Sequence, residues 1–77
     1  MKDLGKTIAK YRKEHKLNQS QLAKELENYD IYVKQNSISA WELGTATPNA
    51  RQFLALCEIL EIYDILSVRV LLIHSGT

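Results

Sequence analysis

Residues able to do covalent or metal chemistry are few in this 77-residue chain: Cys57 is its only cysteine, and His15 and His74 are its only histidines. A lone thiol builds no disulfide framework, and one Cys with two His is too few for a closed tetrahedral zinc site. His15 belongs to a basic stretch, Arg12-Lys13-Glu14-His15-Lys16, and His74 to the tail, so neither is an evident base for Cys57. Cys57 sits among apolar residues and reads as a small core hydrophobe. No phosphate-binding glycine loop is present. An enzyme is not expected, nor is a metal or any other cofactor.

What the chain does offer is amide and hydroxyl groups at Asn18-Gln19-Ser20-Gln21, at Gln35-Asn36, at Ser39 and at Asn49. The elements around them read as helices. Leu4, Ile8 and Tyr11 share one face of a first helix over residues 3–15, with Asp3 as its N-cap and Lys13, His15 and Lys16 near its negative end. Asn18 with Gln21 three residues later forms a capping box for a second helix over residues 19–27, in which Leu22, Ala23 and Leu26 are apolar. Residues 28–33 break the pattern and read as a loop, with Val33, and in the second place Ile31, turned inward and with Tyr29 and Tyr32 partly packed. Ile38 and Trp41 mark the apolar side of a third helix over residues 35–43, closed by Gly44. Pro48 follows in a turn. Asn49 then caps a fourth helix, to residue 60 or 61, with Phe53, Leu56, Cys57 and Leu60 on one face. Asp64, Ile65 and Leu66 suit a short fifth helix. Periodicity leaves the run Val68 to Ile73 open between helix and strand.

Composition bounds the rest. The chain is 45% apolar and 25% charged, an ordinary globular domain without a run long enough to span a membrane. No apolar stretch follows the first residues, so no signal peptide is expected, and with a single free thiol a cytoplasmic setting is. The net charge of +1 hides a division. Residues 1–34 carry eight Lys or Arg against five Asp or Glu, a balance of +3, and residues 35–77 carry two against four, a balance of −2. A modest basic face is possible, but the total argues for none.

Short helices in this order, with Leu17-Asn18-Gln19-Ser20-Gln21-Leu22-Ala23, then Ile38-Ser39-Ala40-Trp41-Glu42-Leu43-Gly44, then Pro48, resemble the phage-repressor/Cro-type (XRE-like) helix-turn-helix family. The resemblance spans residues 4–66. It implies an all-α bundle of four to five helices that binds double-stranded DNA, usually as a homodimer repressing transcription. It makes helix 3 the recognition helix, with Gln35, Asn36, Ser39 and Ala40 at positions facing the major groove. Gln and Asn amides can pair bidentately with adenine, and Ser can donate or accept at several base edges. Asn18, Gln19 and Asn49 match phosphate-contacting positions at helix starts, with Lys34 and Arg51 nearby to supply charge. The resemblance also pairs Arg12 with Glu42 in a structural ion pair and gives Trp41 to the core.

This sequence departs from the family pattern in three places. Fifteen positions separate Ala23 from Ile38 where the family has ten, so residues 28–32 look inserted between helices 2 and 3. Leu43 stands where the family often has Lys or Arg. Residues 35–50 contain no Lys or Arg at all.

The domain is expected over residues 1–66, followed by an apolar tail over residues 67–77. The tail is expected to form a homodimer contact; folding back over helices 1 and 4 is the alternative, as is the start of a linker in a longer repressor with a self-cleaving domain. The same fold also serves antitoxins, which bind a toxin as well as DNA. That is the second functional reading, and the near-neutral charge and apolar tail permit it.

Overall fold

The computed structural model describes residues 3–62. They form α1 (Leu4–Glu14), α2 (Gln19–Leu26), a single 3₁₀ turn (Glu27–Tyr29), α3 (Gln35–Leu43) and α4 (Ala50–Leu60), and no strand occurs among them. The fifth helix and the apolar run expected after residue 63 lie outside the described residues.

Two of these helices start with a side-chain capping box and two without one. Asn18 Oδ1 accepts from the Gln21 amide at 2.7 Å, and Gln21 Oε1 accepts from the Asn18 amide at 2.8 Å, closing the expected capping box on α2. Asn49 and Gln52 repeat the box on α4, with both bonds at 2.8 Å. Asp3 stands at the N-cap of α1, but its side chain makes no cap, which corrects the sequence expectation. Its carbonyl carries the helix start instead, accepting from the Thr7 amide and hydroxyl, each at 3.0 Å. Lys34 heads α3 and caps it with no side-chain bond either.

Every helix ends alike. Lys16, Asp30, Gly44 and Glu61 take left-handed backbone conformations, with φ of 57°, 60°, 83° and 54°. The amide of the next residue then reaches back five positions: Leu17 to Arg12 at 3.1 Å, Ile31 to Leu26 at 3.1 Å, Thr45 to Ala40 at 3.0 Å and Ile62 to Cys57 at 3.0 Å. These closures satisfy otherwise unpaired helix carbonyls and turn an apolar residue inward in three of the four cases. Ile31 and Ile62 are buried, and Leu17 packs against the core.

Among the described residues, seven side chains are fully buried: Ile8, Leu22, Leu26, Ile38, Leu56, Leu60 and Ile62. Ala23, Ile31, Trp41, Ala55 and Cys57 complete the centre, with Leu4, Tyr11, Val33 and Phe53 among the residues packed around it. All four helices therefore turn their expected apolar faces to one core. In the segment joining α2 to α3, Ile31 is buried more deeply than Val33, because it follows the left-handed Asp30 that closes the 3₁₀ turn. Tyr32 is 72% exposed, against the expectation that it packs.

Gly5 sets the approach of α1 to α3. A Cβ there would lie 2.5 Å from the carbonyl oxygens of both Trp41 and Glu42. Only hydrogen in place of a side chain lets the start of α1 rest on the end of α3, bringing a positive helix end to a negative one.

Candidate nucleic-acid interface

The core contacts of α3 determine what its other face presents. Ile38 and Trp41 point inward, so Asn36, Ser39, Ala40 and Leu43 share the outward side. Asn36 and Leu43 are exposed, and Ser39 and Ala40 are half-exposed. Gln35, first in the helix, is also exposed.

A continuous chain of side-chain hydrogen bonds runs beneath this face. Arg12 grips Glu42 with two parallel bonds, Nε to Oε2 at 2.6 Å and Nη2 to Oε1 at 3.0 Å. Its remaining Nη1 donates to the Leu17 carbonyl at 2.9 Å. Gln19 Nε2 also donates to Glu42 Oε1, at 3.0 Å. Gln19 Oε1 is thereby left to accept, and Gln35 Nε2 donates to it at 2.5 Å. A carboxylate only accepts, so Glu42 decides which way the Gln19 amide points, and Gln19 in turn decides Gln35. The carbonyl oxygen and second amide proton of Gln35 remain for another partner.

The electrostatics follow from the same bonds. The side chains of Arg12 and Glu42 are only 11% and 9% exposed. Burial pushes the Glu42 carboxyl up, but hydrogen bonds from Arg12 and Gln19 and the charge of Arg12 outweigh it and leave the carboxyl below its ordinary range. The bond to Glu42 holds the Arg12 guanidinium above its ordinary value. Glu42 is the only acidic residue between positions 35 and 50, so its pairing leaves the α3 face without an uncompensated negative charge.

Arg12, Asn18, Gln19, Ser20 and Gln35 line a shallow depression where the starts of α2 and α3 meet. Three of the nine expected DNA-contacting residues, Asn18, Gln19 and Gln35, thus converge there. Asn18 Oδ1 is occupied by its cap, so only its amide protons can reach outward. Lys34 directly precedes Gln35 and is exposed. Asn49 and Arg51 belong to a different helix start. Asn49 is engaged in its capping box, and Arg51 Nη2 donates to the Tyr29 carbonyl at 3.4 Å, bracing the 3₁₀ turn.

Sequence reasoning overlooked Gln19 as the link between Glu42 and Gln35, treating it as a phosphate contact alone. It also overlooked His15, whose ring bridges two helices: Nδ1 lies 2.9 Å from the Tyr11 carbonyl and Nε2 3.0 Å from Glu61 Oε2. The 46 positions between His15 and Glu61 carry no local pattern that would signal that contact.

Cys57 is buried, and burial pushes its thiol pKa up, consistent with a core residue. Among the described residues, no group of His, Cys, Asp and Glu is placed to hold a metal ion, and no helix is long and apolar enough to cross a membrane.

The profile of the helix-turn-helix domain family matches residues 5–64. No curated protein and no solved structure matches the chain. With four helices in the required order, α2 and α3 joined through an enlarged turn, and that match covering most of its length, the chain belongs to the XRE/Cro-like helix-turn-helix family of DNA-binding domains.

Proposed function

We propose that the protein represses transcription by binding an operator as a homodimer, with α3 of each copy in the major groove. The supporting observation is the relay from Arg12 through Glu42 and Gln19 to Gln35. It fixes the leading amide of α3 before any DNA arrives, so little side-chain freedom is lost on binding. The free carbonyl and amide proton of Gln35 match the N6 donor and N7 acceptor of adenine. Asn36, Ser39 and Ala40 follow along the groove. Asn18, Gln19, Lys34, Asn49 and Arg51 hold phosphates, assisted by the positive starts of α2 and α4. Two recognition helices in successive major grooves would sit about 34–36 Å apart, and a protein so bound over a promoter excludes polymerase. The setting is cytoplasmic, where the DNA is.

Selection of bound duplexes from a random library tests this reading, with a two-fold repeated site as the expected product. Gln35→Ala should then lower affinity for that site by about 1–3 kcal/mol and relax preference at one base pair per half-site. Its salt slope should hardly change, because no phosphate charge is lost. Lys34→Ala should weaken all duplexes alike and flatten the salt slope by about one unit. If Gln35→Ala binds the selected site as tightly and selectively as the parent, Gln35 has no base-reading role.

A further inference from the structure

Leu43 is 76% exposed, the most exposed large apolar side chain among the described residues. Scattered surface leucines are ordinary. This one closes the outward face of α3 at its C-terminal end. At about 100° per residue, it projects within about 20° of Asn36, with Ser39 about 40° to one side and Ala40 about 60° to the other. Buried Ile38 and Trp41 lie on the opposite side of the helix. From residue 35 to residue 50 the one charged side chain is Glu42, which is paired with Arg12; Asp3 and Lys6, at the start of α1, line the depression beside Leu43.

A charge-free, apolar group on this face has one matching feature in the major groove. The C5-methyl of thymine is the apolar group among the base edges displayed there. Leu43 lies seven residues beyond Asn36, about 10.5 Å along the helix at about 1.5 Å per residue. That is about three base-pair steps at about 3.4 Å each. We propose that Leu43 is a specificity-determining residue that seats against a thymine methyl about three base pairs from the base read by Asn36. The inference rests on the reading of α3 as the helix in the groove. It adds a large apolar side chain to a recognition surface otherwise built from two amides, a hydroxyl and the small methyl of Ala40.

The test replaces each thymine of the selected operator by deoxyuridine, one position at a time, which removes only the methyl. For the parent protein, one position in each half-site should lose about fourfold in affinity, the weight of one buried methyl group. For Leu43→Ala, an exposed-site change that spares the core, the same replacement should alter affinity less than twofold. If the parent and Leu43→Ala respond alike at every position, the inference fails while DNA binding stands. A Leu43→Lys variant that tightens all duplexes equally and steepens the salt slope by about one unit would put the position against the backbone, which also overturns it. If the parent selects no duplex at all, the reading of α3 fails first, and the thymine contact with it.

Discussion

Arg12 and Glu42 form the pair whose loss should cost most. Removing either leaves the other charged in a nearly closed site, a penalty of about 3–5 kcal/mol. Urea titration of Arg12→Ala should show that loss as a lower midpoint. Replacing both partners with apolar residues should recover most of it. The pH dependence has a definite sign. Glu42 is held below its ordinary carboxyl range, so its contribution is present above the unfolded value and disappears as pH falls through the lowered folded value. His15 behaves oppositely. Its hydrogen bond to Glu61, then the one to the Tyr11 carbonyl, raise its pKa. Both partners are acceptors, so the doubly protonated ring satisfies them together. Its contribution is full below the ordinary imidazole value of about 6.5 and is lost as pH rises through the raised folded value. The site is open enough that the effect should stay below about 1 kcal/mol. Proton NMR titration should find the His15 pKa lower in Glu61→Gln than in the parent; equal values would deny the bridge any weight in solution.

Helix by helix, the starts were more legible than the ends. Asn18 with Gln21 has a fixed spacing that spells out a box, and periodic Leu and Ile positions give each buried face. Gly44 also announced its closure, because glycine is the usual left-handed residue. Lys16, Asp30 and Glu61 take the same conformation without any such mark. Tertiary packing of Leu17, Ile31 and Ile62 selects those turns, and a single sequence does not display that packing. The relay was half legible for a similar reason. Family pattern pairs Arg12 with Glu42, whereas the Gln19–Gln35 contact depends on how the enlarged turn returns α3 to α2. Two predictions follow from helix geometry. Lys16→Gly and Asp30→Gly should each stabilise by up to about 1 kcal/mol, relieving a left-handed side chain against the added freedom of the unfolded chain. Gly5→Ala should destabilise by about 1–3 kcal/mol, since backbone carbonyls of α3 block the new methyl. Denaturant midpoints decide both, and an unchanged Gly5→Ala midpoint would mean that the helices part at no cost.

Taken as a whole, a bundle this small has a limited interior. The chain after α4 still holds Val68, Val70, Leu71, Leu72 and Ile73. An apolar run of that kind is expected to meet a second copy, and sedimentation at high micromolar concentration should register a dimer. Val70→Asp with Leu72→Asp should convert it to a monomer that keeps the parent's thermal stability. If the pair of changes instead lowers stability without changing mass, the run serves its own domain.

The capping boxes on α2 and α4 are built from amides alone, Asn18 with Gln21 and Asn49 with Gln52. Chemical ageing of such groups has an uneven consequence. Hydrolysis of an amide to a carboxylate, as in Asn18→Asp or Gln21→Glu, preserves an acceptor for the cap and adds a negative charge where the helix end favours one, by about 0.3–1 kcal/mol. The deamidated protein should therefore melt at the same temperature or higher. The same charge would stand where a DNA phosphate is expected to approach. Storage could thus yield a protein that passes every test of folding while its hold on DNA fades.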